Sequence, residues 1–368
     1  MSTNRSYLPE PNSEEANKLI EWYQTAPYEE LTPKAGEFGY KNVITFKEAM
    51  RHRLGAQRNA MRGWVGQAKP VDPEPKIVPA PEIKIKPIKQ EGKRGEGEEV
   101  QIQLISDVHC AMITPSYNVA VFKERLETLK RGLVNLCLLH RKMRPIKKLV
   151  VPMLGDIVHG EQYGVQGYVE EFELGAEEQI YEVLVPEFSN FFANLLQVYP
   201  TIEAYGIPGN HGNIQRRSAT MSKRSNWDTL FYRALKETLS KYSRIQISIP
   251  PVGQWYMVIE VNGWRFLLVH GDQIISYMSV PFYGLERRGL RWKQSIGVNE
   301  PFDYMLTAHN HNPNFLWNAG VPTYMNGCFI TDSNFPIVRM GLRDVPKQFS
   351  FFVNKKRGIT ATYLLDLR

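Results

Sequence analysis

Residues 100–110 read VQIQLISDVHC, and this stretch decides the fold class. Residues 100–106 have the apolar and β-branched character of a strand, and Asp107 and His109 follow directly. The pattern repeats at 148–154, KLVVPML, which is followed by Gly155 and Asp156. Between them, 118–143 has the apolar spacing of an amphipathic helix. A strand, a helix and a second strand in this order predict an α/β layered fold.

The alternation continues toward the C-terminus and then changes character. We expect helix over 168–198, a strand at 201–207 and helix over 227–241. Segments 254–261 and 264–269 then flank Asn262-Gly263, a strong short-range hairpin signal. A second hairpin is expected where 350–354 and 360–365 flank a Lys-Lys-Arg-Gly turn. An antiparallel part therefore closes the domain, so the class is α/β with α+β character.

The N-terminal part has a different composition. Residues 68–99 contain six prolines and then a charged, glycine-bearing run, which predicts an extended linker. We therefore divide the chain into a small helical module, 1–67, a linker, 68–99, and a main domain, 100–368. Within the module we expect helices over 12–26, with Ser13 as N-cap, and over 45–62.

Charge suggests polyanionic partners. The net charge is +7, and the segment 41–62 carries one acid, Glu48, against six bases: Lys41, Lys47, Arg51, Arg53, Arg58 and Arg62. Such an imbalance suits phosphate contacts, so the module is expected to bind DNA or to dock a protein partner. A solvated helix face is the alternative that the sequence leaves open.

Several classes of protein are excluded or disfavoured. With 43% hydrophobic and 23% charged residues the chain has an ordinary globular composition. No apolar run approaches the roughly 18 residues of a membrane span, so no membrane partner is expected. The N-terminus lacks the pattern of a secretory signal, which makes a cytoplasmic protein the expectation. The three cysteines are scattered, and we expect reduced, mostly buried thiols.

Polar residues follow five of the expected strands. Five of the eight histidines lie in four short motifs: Asp107-Val108-His109, Gly209-Asn210-His211, His270-Gly271-Asp272 and His309-Asn310-His311. Gly155-Asp156 makes a fifth block. Open α/β sheets bind ligands at the carboxyl ends of their strands, so one shared site is expected. Nitrogen and oxygen donors without thiolate suit Mn²⁺, Fe²⁺ or Zn²⁺. Because these donors exceed what one tetrahedral ion uses, a bridged pair of ions and phosphoester hydrolysis are predicted.

The order Asp-x-His, Gly-Asp, Gly-Asn-His, His and His-x-His resembles the calcineurin-like metallophosphoesterase superfamily over residues 100 to about 329. The resemblance implies a four-layer α/β/β/α sandwich. It also implies that Asp107, His109 and His311 hold one metal, that Asn210, His270 and His309 hold the second, and that Asp156 bridges both. His211 is implied to be the general acid. Mn²⁺ is the expected ion, with Fe²⁺, Zn²⁺ or Mg²⁺ as alternatives.

This sequence departs from the family pattern at two positions. Gly212 stands where the family usually has an acidic residue, so the carboxylate expected to orient His211 is missing. Ala308 replaces a glycine before His309, which should leave the ligands in reach. Outside the motifs, His140 and His52 are expected to be solvated, and His159 to support the site or to be an ordinary loop residue.

The blocks look more like those of DNA-repair exonuclease subunits and phage-encoded members than like protein phosphatases. We therefore expect hydrolysis of phosphodiester bonds in DNA, in the cytoplasm of a bacterial, phage-infected cell. Five arginines are expected to contact the nucleic acid: Arg216, Arg217, Arg287, Arg288 and Arg291. One alternative is a small-molecule or cyclic-nucleotide phosphodiesterase or phosphatase. Another is a non-catalytic scaffold that resembles the small subunits of DNA polymerases, although none of the seven expected ligands is missing here.

Overall fold

A computed structural model describes residues 8–9, 13–26, 30–38, 40, 46–47, 49–50, 97–161, 172–214, 224–274, 282–317, 320–333 and 343–368. The chain divides into two compact units, Met1–Pro75 and Lys76–Arg368. The predicted linker lies almost wholly outside the described residues, so its bounds and those of the module stay predictions. No helix in the described ranges is long and apolar enough to cross a membrane.

The N-terminal unit contains α1 (Glu14–Thr25) and α2 (Leu31–Glu37). Ser13 caps α1 as predicted, because its Oγ accepts a hydrogen bond from the backbone N of Ala16 at 3.1 Å. The unit has its own apolar cluster, which includes Leu19, Tyr23 and Phe46. Most of the helix predicted over 45–62 lies outside the described residues, and the basic surface assigned to it is therefore untested.

The second unit contains eleven strands and six helical segments among its described residues. In chain order these are β1 (Glu99–Gln103), α3 (Val119–Arg141), β2 (Ile146–Met153), α4 (Ala176–Glu178), a π-helical segment (Gln179–Leu184), α5 (Val185–Leu195), β3 (Thr201–Gly206), α6 (Trp227–Thr238), β4 (Ile245–Ser248), β5 (Tyr256–Val261), β6 (Trp264–Val269), α7 (Phe282–Ser295), β7 (Tyr304–Thr307), β8 (Asn314–Leu316), β9 (Thr323–Met325), β10 (Lys347–Asn354) and β11 (Gly358–Asp366).

The strands form two sheets. The first has the order β11-β10-β1-β2-β3-β4, and the second has the order β5-β6-β7-β9-β8. Strands β1 to β4 are parallel neighbours, while β10 and β11 extend the first sheet antiparallel. In the second sheet β6, β7 and β9 are parallel, and β5 and β8 pair antiparallel at the edges.

Three apolar clusters show how the layers stack. One lies between the sheets and joins residues such as Ile102 of β1 to Leu268 of β6. A second fills the space between the first sheet and helices α3, α5 and α6. A third packs Leu285 and Trp292 of α7 against Met305 on the outer face of the second sheet. The fold is therefore a four-layer α/β/β/α sandwich, as the sequence led us to expect.

Both predicted hairpins are present. Asn262 and Gly263 have φ of 53° and 82°, the left-handed pair that a two-residue type I′ turn requires, and they join β5 to β6. The second hairpin joins β10 to β11, whose ends pair Asn354 with Gly358. All three cysteines are free and buried, as expected.

The expectation that His140 is solvated is wrong. Its ring stacks on Phe352 with centroids 3.5 Å apart, and its Nε2 lies 2.9 Å from the hydroxyl of Tyr363. His140 Nδ1 also lies 3.6 Å from Oε2 of buried Glu99. The basic sequence around His140 suggested a solvated helix end, but that end of α3 is covered by β10 and β11.

Candidate metal centre

The topology brings the polar motifs to one edge of both sheets. Asp107 and His109 follow β1, Asp156 follows β2, and Asn210 follows β3; these three strands are parallel neighbours of the first sheet. In the second sheet, His270 follows β6, while His309 and His311 follow its parallel neighbour β7. Carboxyl ends of parallel strands share an edge, so the seven side chains converge.

Asp107, His109 and His311 form the first of two compact groups that together contain six of the seven predicted ligands. One potential ligand atom from each lies within 4.8 Å of the other two. The Nε2 atoms of His109 and His311 are 3.2 Å apart, and His311 Nε2 lies 3.6 Å from Oδ1 of Asp107. This group coincides with the set that the family resemblance implies for one metal.

Asp156, His270 and His309 form the second group, again with ligand atoms within 4.8 Å of one another. His270 Nε2 lies 3.0 Å from Asp156 Oδ2, 3.2 Å from His309 Nδ1 and 2.9 Å from Asn210 Oδ1. The two groups are also joined directly, because the backbone N of His309 donates to Oδ2 of Asp107 at 3.3 Å. The structure thus brings all seven predicted ligands together.

The backbone at these residues is unusual. Asp107, His109, Asp156, His309 and His311 all have φ between 47° and 74°, the left-handed region that side-chain-bearing residues rarely adopt. Such conformations cluster where the surrounding structure holds residues in place for binding or catalysis. The loops therefore present their side chains in a fixed, enforced direction.

Burial and neighbouring charges lower the pKa values of two of the four histidines among the predicted ligands, which favours their neutral forms. Burial, followed by the charge of the neighbouring His270, lowers the pKa of His309 to about 3. Burial likewise lowers the pKa of His109 well below its ordinary value. A neutral imidazole has a free lone pair, which is the form that binds a cation.

The other two histidines are paired with carboxylates. Burial alone would lower the pKa of His270, but the adjacent Asp156 carboxylate outweighs it and raises the pKa to about 9. Burial also opposes protonation of His311, yet Asp344 and Asp107 raise its pKa to about 9. The carboxylates of the centre therefore favour the protonated, positively charged forms of His270 and His311 in spite of burial.

The donor set fits divalent cations. Asp107 Oδ1 is buried and has no hydrogen-bond donor among the described residues. An unpaired buried carboxylate oxygen is costly unless a proton or a cation satisfies it, and burial accordingly raises the pKa of Asp107. The carboxylate, imidazole and amide donors around it suit Mn²⁺, Fe²⁺ or Zn²⁺.

His211 lies beside the first group. Its ring centroid is 4.5 Å from that of His109, and its backbone N donates to Oδ1 of Asp156 at 2.8 Å. His159 is buried next to both rings, with its Nδ1 3.3 Å from Nδ1 of His109. His159 is therefore part of the site, the first of the two readings that the sequence left open.

The position of Gly212 is closed to a larger residue. A Cβ there would lie 2.7 Å from Oδ1 and 2.9 Å from Nδ2 of Asn226. Asn226 is the N-cap of α6 and also donates from Nδ2 to the carbonyl of Gly209 at 2.9 Å. The side chain of Asn226 therefore occupies the space that an acidic side chain at position 212 would need.

Asp344 supports the site and was missed by the sequence analysis. Its Oδ1 lies 2.8 Å from Nδ1 of His311, and its Oδ2 accepts the backbone N of Ser333 at 2.8 Å. A carboxylate on the second nitrogen of a ligating histidine fixes the tautomer and the ring orientation. A single aspartate outside any motif gives no signal in the sequence, so only the fold reveals this contact.

The predicted substrate arginines are not joined to the centre by any described contact. Arg216 and Arg217 lie outside the described residues. Arg287 and Arg291 are exposed and Arg288 is half-buried on α7, the helix that packs on the outer face of the second sheet. Their role in substrate binding therefore stays a prediction.

The sequence matches no family model, and no curated protein matches it significantly. Solved structures similar to this chain include vacuolar protein sorting 29 from Cryptosporidium parvum, with 14% identity, a TM-score of 0.35, and coverage of 74% of this chain and 93% of that one. A novel archaeal phosphodiesterase has 11% identity, a TM-score of 0.33, and coverage of 72% and 99%. Vps29 from Entamoeba histolytica, complexed with Zn²⁺, has 12% identity, a TM-score of 0.31, and coverage of 73% and 99%. At such scores these likenesses carry no conclusion about the function of this chain.

Proposed function

We propose that this chain is a phosphoesterase of the calcineurin-like class that uses two divalent metal ions. The observation that carries the proposal is the pairing of two ligand groups, Asp107 with His109 and His311, and Asp156 with His270 and His309, joined by a hydrogen bond between them. Two adjacent groups of hard and borderline donors are the arrangement that two-metal hydrolases use.

In this proposal the first group holds one ion, and the second group, with Asn210, holds the other. Asp156 contributes to both. When bound, a pair of divalent ions supplies Lewis-acid polarisation of a phosphoryl oxygen and lowers the pKa of water. The buried loops of the chain fix the direction of each ligand, and Asp344 holds the ring of His311.

His211 is proposed to protonate the leaving oxygen or to stabilise negative charge in the transition state. Its contact with His109 and the bond from its backbone N to Asp156 hold it next to both ligand groups. Its side chain is half-buried, so it can reach a substrate that lies over the centre. Its orientation comes from this packing, since no carboxylate follows it at position 212.

We further propose phosphodiester bonds in DNA as the substrate. The support is the net charge of +7 and the exposed cations Arg287 and Arg291, because guanidinium groups bind phosphates in pairs of hydrogen bonds. DNA binding that depends on such contacts should weaken steeply as salt rises, whereas a small phosphate ester should be hydrolysed with little salt dependence. A scaffold without catalysis should bind partners but hydrolyse none of these substrates.

One assay tests the activity and the substrate. The purified chain with Mn²⁺ is incubated with bis-p-nitrophenyl phosphate, p-nitrophenyl phosphate, and labelled single- and double-stranded DNA. We expect hydrolysis of the diester and of DNA. A preference for the monoester would contradict the nuclease assignment, and no hydrolysis with any divalent ion would contradict the phosphoesterase.

Two variants separate the proposed roles. Asp156→Asn should nearly abolish turnover and metal content, whereas His211→Ala should lower turnover about 100-fold or more while the metal content stays at the wild-type value. Asp303→Asn is the matched control, since Asp303 precedes β7 at the opposite end of the strand from His309 and accepts the backbone N of Arg265. Full activity of His211→Ala would remove His211 from the mechanism.

A further inference from the structure

Two loops of the candidate centre are packed closer than ordinary side chains allow. A Cβ on Gly209 would lie 2.1 Å from Oδ1 and 2.3 Å from the backbone N of Asp156. A Cβ on Gly155 would lie 2.5 Å from the backbone N of Gly209. The loop after β2, which carries Asp156, and the loop after β3, which carries Asn210, therefore touch backbone to backbone. Neither glycine position leaves room for a side chain between the two loops.

A single carboxylate bonds to both loops. Asp228 Oδ2 accepts the backbone N of Asp156 at 3.0 Å and that of Gly209 at 2.8 Å. Asp228 Oδ1 accepts the backbone N of Ile157 at 3.0 Å and that of Val158 at 2.9 Å. A carboxylate offers about four acceptor positions, and here all four are taken by backbone amides of the two loops.

The carboxylate is itself held firmly. Asp228 is fully buried and lies in the first turn of α6, directly after the N-cap region. Asn226 Oδ1 accepts the backbone N of Asp228 at 2.9 Å, while Asn226 Nδ2 donates to the carbonyl of Gly209 at 2.9 Å. The backbone N of Trp227 also donates to the carbonyl of Gly212 at 2.7 Å. Residues at the start of α6 thus form several hydrogen bonds to the loop that carries Asn210.

We propose that Asp228 is a positioning residue that sets the distance between Asp156 and Asn210, and through it the spacing of the two proposed metal positions. The inference rests on the proposed function and adds a residue to it. The described hydrogen bonds of the Asp228 oxygens all come from the four backbone amides and none from a ligand side chain. Asp228 acts through the loop that presents Asp156 in its left-handed conformation and the loop that presents Asn210.

The geometry also predicts which ion responds most. Asn210 belongs to the second ligand group, and Asp156 is shared by both. A change in the relative position of the two loops should therefore weaken binding of the second ion more than binding of the first. Mutation of residues that orient metal ligands typically costs about 10–100-fold in metal affinity.

The test is a calorimetric titration of the full chain with Mn²⁺, accompanied by thermal unfolding. Asp228→Asn keeps the size of the side chain but replaces one acceptor oxygen with a donor that faces backbone N–H groups. We expect the second Mn²⁺ to bind about 10–100-fold more weakly, with a smaller change in the first. Asn226→Ser is a milder second variant, because serine keeps the N-cap acceptor and lacks the amide that holds Gly209. It should weaken the same ion to a smaller extent.

Glu99→Gln is the matched control. Glu99 is another buried carboxylate, but it begins β1, at the end of that strand opposite Asp107, and bonds to Arg144 and Thr360. Its replacement should lower thermal stability and leave Mn²⁺ affinity within about twofold of the wild type. If Glu99→Gln weakened Mn²⁺ binding as much as Asp228→Asn, the effect of Asp228 would be general destabilisation and the proposal would be wrong.

The remaining outcomes separate this inference from the proposed function. If the wild-type chain binds no divalent ion, the proposed function fails and takes the role of Asp228 with it. If the wild type binds two ions and the Asp228→Asn and Asn226→Ser variants bind both as tightly, the function stands and the positioning role is refuted. If Asp228→Asn does not fold, Asn226→Ser alone decides in the same way.

Discussion

Replacing Gly209 with alanine should damage the candidate centre without removing any ligand. The new Cβ would lie 2.1 Å from Oδ1 and 2.3 Å from the backbone N of Asp156, whereas ordinary contact begins at 3.4 Å. The loops of Gly209 and Asp156 must therefore separate by about 1 Å to relieve the overlap. Neither loop can yield easily, because Asp228 bonds to the backbone N of both residues.

The expected size of the effect follows from that displacement. Misplacing a reacting group by about 1 Å costs about 100-fold in rate, and overpacking a close-packed site costs about 1–3 kcal/mol of stability. We therefore expect Gly209→Ala to lower kcat/KM for bis-p-nitrophenyl phosphate with Mn²⁺ about 100-fold and to weaken Mn²⁺ binding. The Tm should fall by about 3 °C for each kcal/mol lost.

Gly289→Ala supplies the control for the same chemical change. Gly289 lies in α7, and a Cβ there would meet Val321 at 3.6 Å, an ordinary contact. Because the added Cβ makes only an ordinary contact, this variant should keep full activity. Its Tm should be equal or higher, since alanine has less conformational entropy than glycine in the unfolded chain. Wild-type activity and Mn²⁺ affinity in Gly209→Ala would refute the close packing of the two loops from which the expectation is derived.

Three further outcomes are expected. Asp344→Ala should weaken Mn²⁺ binding about 10–100-fold in a calorimetric titration, because His311 loses the carboxylate on its Nδ1. The control Asp332→Ala, which removes an exposed acid nearby, should bind Mn²⁺ like the wild type. Equal Mn²⁺ affinities of Asp344→Ala and the wild type would contradict the role of Asp344. Glu99 has a pKa below its ordinary value of 4.5, since His140, Thr360 and Arg144 outweigh the effect of burial. The stability that ionised Glu99 contributes is therefore complete above about pH 4.5 and is lost as the pH falls through the lowered pKa. The Tm of Glu99→Gln should accordingly change less with pH in this range than the Tm of the wild type. Parallel curves of Tm against pH for the two proteins would refute this. The thiols should not react with Ellman's reagent until the chain is unfolded in guanidinium, because all are buried and burial raises their pKa; rapid labelling of the native protein would contradict the burial of Cys110, Cys137 and Cys328.

The features that the sequence predicts correctly are those that local chemistry dictates. Asn262-Gly263 forms a hairpin because few other pairs adopt two successive left-handed conformations. Ser13 caps α1 because its hydroxyl satisfies an amide that the helix leaves unpaired. The seven residues that the structure brings together were singled out because each follows an apolar run, and parallel strands bring such positions to one edge. Their role as metal ligands stays a prediction.

The features that the sequence analysis missed depend on contacts between distant segments. Gln101 is polar within β1, yet it is fully buried, because Tyr199 donates to its Oε1 at 2.7 Å and helices cover that face of the sheet. His140 was misjudged for the same reason. Asp228 and Asp344 carry no local signal at all, since their partners lie about 20 to 70 residues away in sequence.

The backbone conformation of the seven predicted ligand residues argues against a scaffold that has no use for metal. Five of the seven have a positive φ, which costs about 1–2 kcal/mol for an ordinary residue and somewhat less for Asp and His. The chain compensates with buried hydrogen bonds, such as those from the backbone N of Asp107 to Gly155 and from the backbone N of His109 to Asp156. A surface that served only to bind a partner would gain nothing from holding buried carboxylates and imidazoles against one another. Convergence of these groups becomes favourable when cations lie between them, and for that reason the arrangement favours a chain that binds metal over a scaffold that does not.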